Sequence, residues 1–274
     1  MAKRNRKTDQ AVIDRRIQEG RGQGHGPGYK PWLTIQDVAS QGLVTREKGW
    51  KTNRVHHMLS KLELAYFYVL EWAPTVSDIR EQYPLLPLEE TLVLAQDMGV
   101  RHPSDPQTRQ PVVMTTDFLV TIRSESQAKD CARTIKYAPD LQSRRTIEKL
   151  EIERRYWRAR NVDWGLVTEH EIPMVLAKNV ELLHEYRCLT DRLTLAEGEI
   201  LEVAVLLTQR VMQTNATLRR VTLDCDKHLG LEPGTSLAIA YHLMATRRWQ
   251  INVEEPLIIS KKLTILAVKG LDVN

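Results

Sequence analysis

An acid set in the apolar stripe of a helix constrains this chain more than any other feature. The stretch Leu59-Ser-Lys-Leu-Glu-Leu-Ala-Tyr-Phe-Tyr-Val-Leu70 has helical spacing, and the neighbours of Glu63 at i−4, i+3, i+4 and i+7 are Leu59, Tyr66, Phe67 and Leu70. A carboxylate there is carried inward, and burying it without a partner is costly. It needs a cation, a lysine or a hydrogen-bond donor; a structural ion pair, or an edge position that reaches outward, is the alternative. Two other segments offer partners. Val112-Val-Met-Thr-Thr-Asp-Phe-Leu-Val-Thr-Ile122 reads as a strand in which Asp117 faces away from Phe118, Val120 and Ile122 and stands beside Thr115 and Leu119. Ala132-Arg-Thr-Ile-Lys-Tyr-Ala138 reads as the next strand, with Lys136 on the face of Thr134. Adjacent strands lie about 5 Å apart, so one metal ion and one lysine fit between Asp117 and Lys136.

The chemistry explains the residue types. Phosphodiester hydrolysis needs an activated water and neutralisation of the charge that builds on phosphate and leaving oxygen. Magnesium prefers hard oxygen ligands and keeps several waters. Asp117 and Glu63 supply carboxylate oxygens, the Ile135 carbonyl adds one, and Lys136 orients water or stabilises charge. Glu153 is a subsidiary candidate, in a charge-rich helical stretch where surface ion pairs are the bland explanation. His56 and His57 are adjacent, diverge on a helix, and read as structural or phosphate-contacting rather than as a zinc pair.

Length suggests one large domain or two ordinary ones. Residues 1–32 form a basic arm with a short helix near 9–19 and the loop Gly20-Arg-Gly-Gln-Gly-His-Gly-Pro-Gly28, a flexible connector or a phosphate cradle. Residues 33–168 alternate helix and strand, an α/β pattern with a charged helix at 145–160. Residues 169–274 turn mostly helical: 172–188, 195–211, 215–229 and 236–246, then short strands near 249–253, 257–259 and 263–268. Helix, turn, helix and hairpin suggest a winged helix. Its second helix is nearly uncharged, which favours protein docking or non-specific backbone contact over base reading.

The net charge is +4, and residues 1–30 alone carry eight Lys/Arg against three acids. This permits a nucleic-acid partner without requiring one. The three cysteines, Cys131, Cys188 and Cys225, form no CxxC pair, so neither structural zinc nor a disulfide framework is expected. No signal peptide and no membrane-length apolar run stand out, and a cytoplasmic location is expected.

At this point the chain resembles the TnsA family, endonuclease subunits of the heteromeric transposases of Tn-seven-like transposons. The matching segments are Arg15-Arg-Ile-Gln-Glu-Gly-Arg-Gly-Gln-Gly-His-Gly26 with Pro31-Trp-Leu33, residues 54–57 and 62–65, Glu71-Trp72, Asp78-Ile-Arg-Glu-Gln-Tyr-Pro-Leu-Leu-Pro87, Thr116-Asp-Phe-Leu-Val120 and residues 146–157. The resemblance implies a restriction-endonuclease-like N-terminal domain (a mixed sheet flanked by helices) and a winged-helix C-terminal domain. It implies cleavage at the 5′ ends of the transposon that depends on Mg2+, with Mn2+ as substitute, on double-stranded DNA at the transposon ends. A DDE-class transposase would cut the other strands, an AAA+ ATPase regulator would bind the C-terminal domain, and the protein would be bacterial and nucleoid-associated during transposition. The family's catalytic set falls on Glu63, Asp117 and Lys136. Arg15, Arg16, Arg21, Lys30, Arg54, His56 and His57 are the candidate DNA contacts. Two residues before the lysine the family usually has glutamine; here Thr134 stands, able to ligate only through its hydroxyl or a water. The alternative is a catalytically weak assembly subunit that bridges transposase and ATPase.

Overall fold

The computed structural model describes residues 8–38, 44–125, 127–190 and 192–271. Lys3, Arg4, Arg6 and Lys7 of the basic arm lie outside the described residues. The chain divides into two compact units, Met1–Ile172 and Pro173–Asn274.

In the first unit, α1 (Gln10–Gln18) starts at Asp9, whose side chain accepts from the Val12 N–H at 3.0 Å. A hairpin, β1 (Thr45–Lys48) and β2 (Val55–Met58), precedes α2 (Lys61–Trp72). Then come β3 (Val76–Pro84), α3 (Leu88–Asp97), β4 (Thr115–Arg123), β5 (Ala128–Ile135), α4 (Arg144–Ala159) and β6 (Asp163–Val167). The sheet order is β3-β4-β5-β6, antiparallel except for the parallel pair β5–β6. It is a mixed sheet, as an endonuclease-like domain requires. Helix α2 covers one face, where Tyr66 meets Phe118 with ring centroids 5.7 Å apart. Helix α4 covers the other, where Ile152, Tyr156 and Trp157 pack with Leu119 and Ala132. Burying several such side chains contributes about 2 kcal/mol each.

The glycine-rich segment is largely exposed but anchored by backbone hydrogen bonds, where a flexible connector was the expectation. The Gly22 N–H donates to the Lys30 carbonyl at 2.6 Å and the Gly26 N–H to Asp78 at 3.2 Å. Gly22 has φ +79°, and a Cβ there would stand 2.2 Å from Pro84 Cγ, so only glycine fits.

The second unit holds α5 (Met174–His184), α6 (Glu197–Gln213), α7 (Leu218–Leu229), α8 (Thr235–Ala245) and a ribbon of β7 (Trp249–Gln250) with β8 (Ala267–Val268). Asp226 ties the α7–α8 turn by accepting from the Gly234 and Ser236 N–H groups at 2.7 and 2.8 Å. The strand expected at 257–259 does not form. Its backbone is used otherwise: the Leu257 N–H donates to Asn179, and the Ile259 and Lys261 carbonyls accept the Arg219 and Leu218 N–H groups at the start of α7. Among the described residues no helix is long and apolar enough to cross a membrane.

Candidate active site

The sheet opens where the candidate residues lie. Pairing of β4 with β5 ends at Phe118–Arg133, and beyond it β5 continues only with β6, through Thr134–Leu166 and Ile135–Val167. The Ile135 N–H, released from the β4 ladder, donates to Asp117 Oδ2 at 2.7 Å. Lys136, one residue past β5, donates from Nζ to the same oxygen at 2.9 Å and to the Ile135 carbonyl at 2.8 Å. The carboxylate and the lysine therefore meet, though at a strand end rather than in mid-strand.

Strict alternation along β4 fails at Asp117. Phe118 packs on Tyr66 of α2, yet Thr116, two residues earlier, meets α4: it accepts from Trp157 Nε1 at 2.6 Å and donates to Glu153 at 2.6 Å. The neighbouring strand switches in step. Glu81 meets Arg54 and His56 on the hairpin side, whereas Tyr83 meets Trp157. Between these pairs Gln82 faces Asp117, and its φ of +49° makes the switch possible. A non-glycine residue in this region is uncommon in a strand and strained by about 1–3 kcal/mol. Asp117 is thereby aimed along the opening.

Glu63 is buried at 6% exposure, and hydrogen bonds at the start of α2 hold it. The Glu63 N–H donates to Ser60 Oγ at 3.1 Å, Ser60 Oγ donates to Glu63 Oε1 at 2.9 Å, and the Leu59 N–H donates to Oε2 at 3.0 Å. The Ser60-Lys-Leu-Glu63 spacing was the visible signal for this cap. Gln82 is a site residue the sequence reading missed: fully buried, it donates to Glu63 Oε2 at 3.4 Å and accepts from Thr115 Oγ1 at 3.1 Å. Its carbonyl accepts the Trp32 N–H at 3.2 Å, which draws the backbone out of the ladder.

Glu153 is no surface residue. It is 3% exposed and accepts from both Thr116 and Thr134, bridging the opening from α4. Thr134 thus spends its hydroxyl proton on Glu153. Asp117, Thr134, Lys136 and Glu153 line one cavity of about 400 Å³; Glu63 is not among its lining residues.

Burial, then the Asp117 charge, raises the Glu63 carboxyl to about 7, against opposing bonds from Leu59 and Ser60. Burial raises Glu153 to about 7, although Thr116 and Thr134 favour its charged form. For Lys136 burial works downward, but Asp117, Glu153 and Glu63 outweigh it and hold the amine above its usual value. Among the described residues no three His, Cys, Asp or Glu side chains form a metal cage by themselves. Magnesium needs none: one or two carboxylates and a carbonyl suffice, with water completing the shell. Asp117, Glu63 and the Ile135 carbonyl are hard oxygens, and two acids raised to about 7 mark a place where added positive charge is favourable. The donor set fits.

Several expected DNA contacts are corrected. Arg54 and His56 are buried and both bond Glu81, whose carboxyl their charges hold far below its usual value despite burial. Arg16 is buried on Asp37 at 3.2 Å. Arg21 bonds Glu19, Asp37 and the Trp32 carbonyl. His57 is half-buried, its ring accepting the Ile35 N–H at 3.5 Å. Arg15 and Lys30 stay exposed, Lys30 donating to the Glu19 carbonyl. The acids that bury Arg16, Arg54 and His56 lie some 20 or more residues away in the chain, so helix and strand patterns alone could not show them.

Residues 73–169 match the model of the TnsA-like endonuclease N terminal family, and residues 171–253 that of the TnsA endonuclease C terminal family. The chain is 48% identical over 187 residues to the transposon Tn7 transposition protein TnsA of Escherichia coli, covering 68% of this chain and 67% of that protein. With an acid–acid–lysine set gathered at the open end of a mixed sheet, the chain belongs to the TnsA family of transposition endonucleases.

Proposed function

We propose that this protein hydrolyses a phosphodiester bond at each 5′ end of a transposon, with Mg2+, in assembly with a DDE-class transposase and an AAA+ regulator. The observation that carries this reading is the open sheet end, where Lys136 donates to the Asp117 carboxylate beside the buried acids Glu63 and Glu153. Bound magnesium would supply charge neutralisation and a more acidic water. Asp117, Glu63 and the Ile135 carbonyl would hold it. Lys136 would then leave the oxygens it now bonds to orient the attacking water or to meet charge on the phosphate. Glu63 and Glu153, poised near neutral pH, could hold or release a proton.

The second unit is read as a winged helix that docks the regulator. Three mutually packed helices (α6, α7 and α8) and the β7–β8 ribbon support this, while the ribbon's two-residue strands make only a minimal wing. A cytoplasmic, nucleoid-associated setting is part of the same proposal. A second reading, a bridging subunit with weak catalysis, is favoured by Thr134, whose short side chain is committed to Glu153. The test is cleavage of a donor plasmid carrying both ends, with transposase and regulator, with and without magnesium. Asp117→Ala and Lys136→Ala should each remove the magnesium-dependent cuts; full cleavage by both would establish the bridging reading.

A further inference from the structure

A second cation lines the cavity, and among the described residues no carboxylate is paired with it. Lys149 lies on α4 one turn before Glu153 and lines the same cavity as Lys136. Its helical neighbours four residues away are Arg145 and Glu153. Arg145 is a like charge, already held by Glu148 at 3.1 Å and by the Arg101 carbonyl. Glu153 is turned inward onto Thr116 and Thr134. Lys136 is taken by Asp117 and the Ile135 carbonyl. Among the described residues Lys149 has no carboxylate and no hydrogen-bond partner. Lys149 is solvent-exposed at the cavity rim; desolvation there, then the charges of Arg145 and Lys136, lowers its pKa, so its electrostatic neighbours are cations. A helix lysine with a glutamate at i+4 ordinarily forms a surface pair; here the glutamate is committed elsewhere and the ammonium is left at the cavity wall. An anion brought from outside would relieve this arrangement.

We propose that Lys149 binds a backbone phosphate of the DNA strand being cut, adjacent to the reacting one, and so sets the register of that strand in the cavity. This rests on the nuclease reading: the reacting phosphate would lie at Asp117 and Lys136, and its neighbour at the α4 wall. The role is positioning, separate from chemistry at the reacting atoms. It predicts a charge requirement at position 149 that a merely structural lysine would not show.

The test has two arms. In the first, association with a labelled duplex is followed by fluorescence anisotropy without magnesium, from about 50 to 200 mM salt, for wild type, Lys149→Gln and Lys149→Arg. Lys149→Gln should flatten the slope of log Kd against log salt by about 0.9, the loss of one phosphate contact, and Lys149→Arg should restore it. In the second, 5′-strand cleavage in the assembled complex should show KM for DNA ends raised several-fold in Lys149→Gln, with kcat less affected, and recovery in Lys149→Arg. A Lys149→Gln protein with wild-type slope and KM would overturn the proposal, as would a wild type without salt-dependent association. A flattened slope together with no 5′ cutting by wild type would instead overturn the nuclease reading and leave the phosphate contact standing.

Discussion

Glu153→Gln isolates one buried charge with little other change. The amide keeps the size of the side chain and an oxygen to accept from Thr116 and Thr134, the two bonds that hold the carboxylate. Burial raises Glu153 from 4.5 to about 7 in the folded chain. At about 1.4 kcal/mol per pH unit this corresponds to about 3 kcal/mol. The sign follows from proton counting. Below about pH 4.5 the folded and unfolded chains both keep the proton, and the group contributes nothing. Between 4.5 and about 7 the folded chain keeps a proton that the unfolded chain releases, so stability falls as pH rises. Above 7 both forms are ionised and the full penalty is present. Metal-free wild type should therefore be less stable than Glu153→Gln by about 3 kcal/mol at pH 8, and similar to it at pH 4.5. Urea unfolding in a chelator, followed by tryptophan fluorescence because Trp157 lies against this cluster, gives the comparison at each pH. Parallel pH curves for the two proteins would refute the reasoning.

Three further outcomes are expected. Gln82→Met keeps side-chain volume but loses the bonds to Glu63 and Thr115, and should lower kcat about ten-fold (about 1.4 kcal/mol) while the melting temperature changes little; a wild-type kcat would show that the amide does not position Glu63. Arg54→Met strips the guanidinium from fully buried Glu81, leaving it only His56 and the His57 N–H, and should destabilise the first unit by about 3 kcal/mol, with unchanged DNA affinity in the fraction that remains folded; denaturant midpoints and anisotropy separate the two effects. Gly22→Ala drives a Cβ into Pro84 at a left-handed φ and should destabilise by about 2 kcal/mol or more, read as a lowered melting temperature.

Much of the candidate site's grouping was legible because it depends on local patterns. Asp117 and Lys136 were found from two short strands and the spacing between them, and Glu63 from an acid inside an apolar helical stripe. The geometry that aims them was not legible. Strict period-two reading put Asp117 beside Leu119, but the paired switch at Gln82 and Asp117 breaks the period, and that switch depends on Trp32 docking on the Gln82 carbonyl. On the sequence alone Arg54 and His56 stand as candidate DNA contacts, because their acid, Glu81, is some 25 residues away in the chain. Glu153 was read as part of a surface charge run, because nothing in its helix reveals that two threonines across the sheet opening draw it inward. The wing failed in one strand because 257–261 supplies backbone partners to Asn179 and to the start of α7, which leaves no ladder for it to join.

The central claim is that Asp117, at the opening of the sheet, cuts the transposon's 5′ strand. Single-turnover, strand-resolved cleavage by wild type and Asp117→Asn, each with transposase, regulator and magnesium, tests it most directly. Asparagine keeps the shape and can still accept from Ile135, but it loses the charge that a cation and Lys136 require. The account predicts a loss of about 100-fold or more in 5′-strand cutting, about 2.7 kcal/mol, with 3′-strand cutting unchanged. Equal 5′-strand rates for the two proteins would contradict it.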